Sequence, residues 1–287
     1  MSSEPIWFAI GLSTFAGLST GIGSVLGVLG RHTDKRVLTL AMGFSAGVMV
    51  YVSFVELLPV ASAALEQSVG QSGGGWAALA AFFGGMALIG LIDRCVPSPE
   101  NPHEFPDNGD DAGPHPAGAN ALPPASPNAT DTPAYSVRRR LMRLGVLTTF
   151  ALAIHNFPEG IATLLGGLRE AEVGIPIAVA VAIHNVPEGI AVAVPIYQAT
   201  GNRRLAFTYS FLSGLAEPVG AIAGYAVLMP FLNDTLFGVL FAGTAGIMVF
   251  ISFDQLLPAA ERYGQHHASI YGVVGGMAVM AVSLLLL

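Results

Sequence analysis

The sequence predicts an all-α membrane protein with eight transmembrane helices in a 3+2+3 arrangement that contains inverted repeats. Three observations lead to this fold class. Hydrophobic residues make up 53% of the 287 residues and charged residues only 11%, against about 25% in ordinary soluble domains. The apolar residues form long continuous runs, and two pairs of runs share repeated sequence. This composition excludes a soluble enzyme, and the formal net charge of -7 argues against a nucleic-acid partner.

Each apolar run is close to the roughly 20 residues that a helix needs to cross the hydrocarbon core of a bilayer. The runs are continuous and do not alternate with a period of two, which favours helices over the strands of a barrel. We number them spans 1 to 8, and they lie at about 6–29, 37–60, 76–95, 143–168, 174–199, 205–230, 234–257 and 270–287.

The distribution of basic residues predicts the orientation in the membrane. Eleven of the twelve Lys and Arg residues fall in loops that follow odd-numbered spans, and only Arg169 falls in an even-numbered loop. Basic residues accumulate in cytoplasmic loops. We therefore expect a multi-pass protein of the cell (inner) membrane, with both termini outside the cytoplasm.

The segment 96–136 separates residues 1–95, which carry spans 1–3, from residues 137–287, which carry spans 4–8. It contains ten of the nineteen prolines, six acidic residues and two histidines, His103 and His115. With so little to bury, it is predicted to be a disordered cytoplasmic loop. A solvated tether is the favoured interpretation, and a weak metal-collecting or regulatory loop is the alternative.

The first repeat relates span 2 to span 7. Residues 46–61 match residues 245–260 at ten of sixteen positions. Because span 7 comes five crossings after span 2, the two copies run in opposite directions through the bilayer, which is the signature of inverted-topology repeats. Spans 1–3 and 6–8 are thus predicted to be inverted halves around spans 4 and 5.

The second repeat places the same polar motif in spans 4 and 5. His-Asn-Phe-Pro-Glu-Gly-Ile-Ala at 155–162 reappears as His-Asn-Val-Pro-Glu-Gly-Ile-Ala at 184–191. Its His, Asn and Glu share one side of each helix, since positions i and i+4 are neighbours on a helix surface. If the helices cross antiparallel here, the two sets converge into a metal site: His155, Asn156 and Glu159, with His184, Asn185 and Glu188.

Imidazole, carboxylate and amide ligands suit Zn(II) and its neighbours Fe(II), Mn(II), Co(II) and Cd(II). The single Cys95 excludes a cysteine-based site within one chain. Glu217 lies next to a proline in span 6, and the motif glutamates also lie next to a proline in spans 4 and 5. Glu217 is therefore taken as a further ligand. Bridging carboxylates would allow two ions about 3.5 to 4 Å apart.

Five carboxylates lie in the interior of the apolar spans, which contain no basic side chain to neutralise them. Each costs at least about 2.5 to 3.5 kcal/mol on insertion scales. They are therefore either protonated or face a water-filled path occupied by a cation, although a helix–helix hydrogen bond is an alternative for an isolated residue. Besides the three glutamates already named, they are Glu56 and Asp254.

Glu56 and Asp254 lie in the repeated segments of spans 2 and 7 but not at equivalent positions, since Glu56 aligns with Gln255. They are candidates for an entrance or exit site, or for a proton relay. Met49 recurs as Met248 and offers a thioether there, with core packing as the alternative interpretation.

The paired His-Asn-x-Pro-Glu-Gly motifs, in eight spans with a loop between spans 3 and 4, resemble the ZIP family of divalent-metal transporters, and most of all its bacterial zinc-uptake branch. The resemblance covers essentially the whole chain. It implies one transport domain that imports zinc into the cytoplasm by alternating access, with tolerance for iron, manganese, cobalt and cadmium. It also implies a binuclear site, with the motif residues and Glu217 as ligands, and favours a homodimer. The loop between spans 3 and 4 departs from the histidine-rich loop of many relatives.

Two other functions remain open from the sequence. A metal-gated cation channel would use the same polar residues, and an intramembrane zinc hydrolase would use a glutamate as its base. The two equivalent motifs and the inverted halves favour a transporter over an enzyme, which needs neither. No cofactor is implied apart from the transported metal, and the lack of a G-x-x-x-x-G-K-[ST] loop argues against direct use of ATP.

Overall fold

A computed structural model describes residues 4–29, 35–95, 133–261 and 266–286, and within these ranges the chain is helical apart from short connections. The predicted loop lies outside the described residues as far as residue 132, and α5 begins at Pro133, inside the predicted loop. The helices are α1 (Glu4–Leu29), α2 (Lys35–Val52), α3 (Leu58–Val69), α4 (Gln71–Cys95), α5 (Pro133–Arg169), α6 (Ala171–Thr200), α7 (Arg203–Gly214), α8 (Ala216–Leu228), α9 (Asp234–Ile251), α10 (Leu257–Glu261) and α11 (His266–Leu286).

Seven helical segments in the described ranges are long and apolar enough to cross a membrane, which confirms an all-α, multi-pass membrane protein. They correspond to the predicted spans 1–3 and 5–8, and the third segment ends at Ile92, three residues before the predicted end of span 3. The remaining span, at 143–168, lies within α5, which is long enough at 37 residues. Arginines near its start and the polar residues of the first motif lower its hydropathy. The count of eight spans therefore stays a prediction.

Spans 2 and 7 each contain a π turn at the same place in the repeated segment, a feature that the sequence analysis did not predict. The turns cover Ser53–Leu57 and Ser252–Leu256. Pro59 and Pro258 follow and cannot donate to the carbonyl one turn earlier, so the hydrogen-bond ladder widens before each proline.

The helices that carry the motifs lie at the centre of the fold. α5 and α6 pack on each other, α1 packs mainly on α6, and α8 packs on α5. Beside this group, α2 packs on α11 and α4 packs on α9. In α6, 78% of the most apolar stretch of the helix is buried inside the protein. The buried share is only 22% in α4 and in α11, so α6 is central and the other two helices are peripheral.

The outer helices expose large apolar side chains, including Trp76 of α4 and Leu285 of α11. In water, such broad apolar surface would be a liability. In a bilayer these side chains contact lipid, which agrees with the multi-pass assignment.

Arg169, at the end of α5, contacts the beginning of α9. Its guanidinium lies 3.0 Å from a carboxylate oxygen of Asp234 and 4.7 Å from the ring centroid of Phe237. Because both charged side chains are partly exposed, we expect Arg169→Ala to lower the free energy of unfolding by at most about 1 kcal/mol. Thermal unfolding in detergent at low and high salt tests this. A salt-independent loss several times larger would contradict it.

Candidate metal centre

The two motifs meet at the crossing of α5 and α6, and each histidine contacts the glutamate of the other helix. Nε2 of His155 lies 3.3 Å from Oε1 of Glu188. Nε2 of His184 lies 3.4 Å from Oε2 of Glu159. The structure therefore brings both imidazoles and both carboxylates together, and the pairing runs between helices.

The asparagines of the motifs are held by backbone groups of α1 and α7. Nδ2 of Asn156 donates to the carbonyl oxygen of Ser213 over 3.1 Å, and Nδ2 of Asn185 donates to that of Ala16 over 2.9 Å. Each hydrogen bond fixes the orientation of its amide, and neither amide oxygen has a hydrogen-bond partner among the described residues.

Glu217, near the start of α8, joins the motif of α6. Its Oε1 accepts a hydrogen bond from Nδ2 of Asn185, while its Oε2 has no partner within the described ranges. The structure thus has an imidazole end, made by the two His–Glu pairs, and an amide end, made by Asn156, Asn185 and Glu217.

All seven predicted ligand residues are buried, with at most 2% of any residue exposed. In the described part of the chain, no Lys or Arg forms an ion pair with Glu159, Glu188 or Glu217. One oxygen of Glu159 and Nδ1 of His184 also lack hydrogen-bond partners there. Buried polar atoms need a hydrogen-bond partner or a bound ion. The unpartnered amide oxygens, carboxylate oxygens and imidazole nitrogen are atom types that can bind a metal ion.

As the side chains stand, no three His, Cys, Asp or Glu residues of the described ranges are arranged to hold one metal ion together. The contacts are pairwise, because Nε2 of each histidine faces one carboxylate. An ion entering the centre would replace these His–Glu contacts, because the nitrogen and oxygen atoms that contact each other are the atoms through which neutral imidazole and carboxylate bind a metal.

The glycine that ends each motif allows a neighbouring backbone to approach. A Cβ atom on Gly160 would collide with the carbonyl oxygen of Glu217, and one on Gly189 with that of Thr20. The sequence analysis missed these contacts and the role of the carbonyls of Ala16 and Ser213. The signal that points to them is a shared glycine spacing in spans 1 and 6, at 17, 23, 27 and at 214, 220, 224.

The residues predicted for an entrance or exit site lie apart from these contacts. Glu56 is half-buried and Asp254 is exposed, each within a π turn. Met49 is fully buried in the core between spans 2 and 7. Its counterpart Met248 lines a small cavity that reaches Glu159.

A multi-pass helical membrane protein that buries an imidazole, carboxylate and amide cluster, with no Lys or Arg ion-paired to its carboxylates among the described residues, belongs to the class of membrane proteins that handle cations. Residues 101–284 match the family model described as "ZIP Zinc transporter". The chain therefore belongs to the ZIP zinc transporter family.

Similar proteins match over almost their whole length. The protein named "Zinc transporter ZupT" of Streptococcus mutans is 52% identical, with 99% of both chains covered. Proteins of the same name are 53% identical in Lysinibacillus sphaericus, over 98% of both chains, and in Corynebacterium efficiens, over 100% of this chain and 99% of that protein. These are transporters, so the expectation that the chain is not an enzyme is confirmed, and the hydrolase alternative is wrong.

Proposed function

We propose that this protein moves zinc across the membrane through the centre formed by α5, α6 and α8. The reciprocal His–Glu pairs, buried between α5 and α6 with no Lys or Arg ion-paired to their carboxylates in the described ranges, are the observation that carries this proposal. Its ligands are His155, Asn156, Glu159, His184, Asn185, Glu188 and Glu217. The name shared by the relatives supports zinc as the cargo.

The mixture of nitrogen and oxygen donors also suits Fe(II), Mn(II), Co(II) and Cd(II), which we propose as less favoured substrates. Mg(II) and Ca(II) prefer oxygen ligands and are expected to compete poorly. The distinct imidazole and amide ends support a binuclear centre, in which Glu159 and Glu188 lie between two ions.

The proposed mechanism is alternating access between inverted halves, and matched contacts in the two halves support it. A Cβ atom on Gly47 of α2 would collide with the carbonyl oxygen of Val273 in α11. One on Gly246 of α9 would collide with that of Phe82 in α4. Gly47 and Gly246 hold the same place in the repeated segment, so span 2 contacts span 8 as span 7 contacts span 3.

We propose import toward the cytoplasm on the basis of the family resemblance, and we propose on the basis of the loop charges that both termini lie outside the cytoplasm. We also propose that Glu56 and Asp254 lie on the route of the ion, because each interrupts an apolar span at a π turn, a feature frequent at functional sites. A homodimer stays a prediction of the family resemblance.

Zinc uptake into proteoliposomes that contain a zinc-sensitive dye tests the function. We expect a saturable initial rate, inhibited by Cd(II) and Co(II) at micromolar concentrations but not by millimolar Mg(II). Protein-free liposomes are the control. A rate that stays linear in zinc at every accessible concentration would instead indicate a channel, and no uptake above the control would refute the proposal.

A further inference from the structure

α1 and the α7–α8 pair make equivalent contacts with opposite motif helices. A Cβ atom on Gly23 would collide with the carbonyl oxygen of Val186 in α6, and one on Gly220 with that of Phe157 in α5. Phe157 and Val186 hold the same place in the two motifs. α1 and α7 also contact each other, since a Cβ atom on either Gly17 or Gly214 would collide with the carbonyl oxygen of the other glycine.

These contacts align residue 20 of α1 with residue 217 of α8. Gly17 is 197 positions before Gly214, and Gly23 is 197 positions before Gly220. Thr20 and Glu217 are separated by the same number of positions. The carbonyl of Glu217 contacts the motif glycine Gly160, and the carbonyl of Thr20 contacts the other motif glycine, Gly189. Thr20 therefore has the place in the first half that Glu217 has in the second.

The anchoring of the asparagines follows the same relation. Asn185 is held by the carbonyl of Ala16, four residues before Thr20. Asn156 is held by the carbonyl of Ser213, four residues before Glu217. Since Glu217 also accepts from Asn185, the equivalent partner of Thr20 is Asn156, whose amide oxygen has no partner among the described residues.

The Thr20 side chain is fully buried, and its hydroxyl has no hydrogen-bond partner in the described part of the chain. A Cβ atom on Gly214 would lie 2.7 Å from this hydroxyl oxygen, which places the hydroxyl beside the peptide group that anchors Asn156. Burying a hydroxyl without a hydrogen bond is unfavourable, because the group loses its hydrogen bonds to water. A ligand in the centre would give this oxygen a partner.

We propose that Thr20 is a further residue of the metal centre, whose hydroxyl faces the amide end opposite Glu217. This inference rests on the proposed function. A neutral oxygen at this place leaves the centre with three carboxylates against the four positive charges of two divalent ions. Because ligand charge sets the affinity of oxygen-rich cation sites, Thr20 keeps binding weak enough for release.

Exchange of the two residues tests the equivalence. We expect Glu217→Thr to weaken zinc binding by about tenfold to a hundredfold, measured by competition with a fluorescent chelator in detergent. The double variant Thr20→Glu/Glu217→Thr restores a carboxylate to the amide end and is expected to bind within about threefold of the native protein, since its charge is the same. The matched control is Ser24→Glu/Glu217→Thr, which adds a carboxylate one turn further along α1 and should not recover binding.

Thr20→Val keeps the shape of the side chain and removes only the hydroxyl. We expect it to raise the KM for zinc uptake by about two- to tenfold, with an unchanged elution volume in size-exclusion chromatography. An unchanged KM and unchanged metal affinity in Thr20→Val would overturn the proposal, as would a folded double variant that binds no better than Glu217→Thr. If the double variant does not fold, Thr20→Val decides. Failure of the proposed function is separate, because then the native protein itself would take up no zinc.

Discussion

Glu188→Gln and Glu159→Gln are each expected to lower the initial rate of zinc uptake by at least about a hundredfold, the upper end of the loss when a metal site is disturbed. Each carboxylate contacts the histidine of the other helix at the imidazole end of the proposed centre. Glutamine keeps the size of the side chain but removes the charge that a divalent cation needs in a low-dielectric site. Uptake is measured in proteoliposomes, and bound zinc is counted by elemental analysis of the purified protein.

Glu172→Gln is the matched control, because Glu172 is an exposed residue in the first turn of α6, the helix that also carries Glu188. It should leave uptake and bound zinc unchanged. Undiminished uptake in both Glu159→Gln and Glu188→Gln would mean that the repeated motifs are structural and that the proposed ligand set is wrong.

Gly189→Ala and Gly160→Ala are expected to destabilise the protein strongly, by about 3 kcal/mol or more, or to prevent folding. The added Cβ atom meets a backbone carbonyl in each case, that of Thr20 or that of Glu217, and backbone cannot turn aside as a flexible side chain can. The helices would have to separate at the metal centre, so zinc binding should be lost together with stability. Thermal unfolding in detergent, followed by circular dichroism, measures the effect.

Gly84→Ala provides the control, because a Cβ atom at Gly84 of α4 meets nothing within 4 Å. Since Ala favours a helix over Gly by about 0.5 to 1 kcal/mol, this variant should be neutral or slightly stabilised. A melting temperature of Gly189→Ala equal to that of Gly84→Ala would show that α1 and α6 do not approach each other as closely as the structure has them.

The class of fold and the membership of the candidate site were accessible from local sequence features. Run length and continuity predict spanning helices because the thickness of the bilayer sets the length of a helix. The i, i+4 spacing places His155 and Glu159 on one side of α5 without knowledge of the neighbouring helices. Span 4 shows the limit of hydropathy, because the polar residues of the first motif, which we propose as ligands, weaken the apolar signal of the helix that carries them.

The pairing within the site depended on how helices distant in sequence cross. Hydropathy and spacing describe one helix at a time, so they could not show that His155 contacts Glu188, or that the carbonyls of Ala16 and Ser213 hold the two amides. They also left Thr20 among ordinary polar residues of span 1. The sequence alone established spanning helices, repeated motifs and donor types suited to zinc. Only the tertiary structure decided which donors meet and which atoms remain without partners, because backbone contact between crossing helices fixes both.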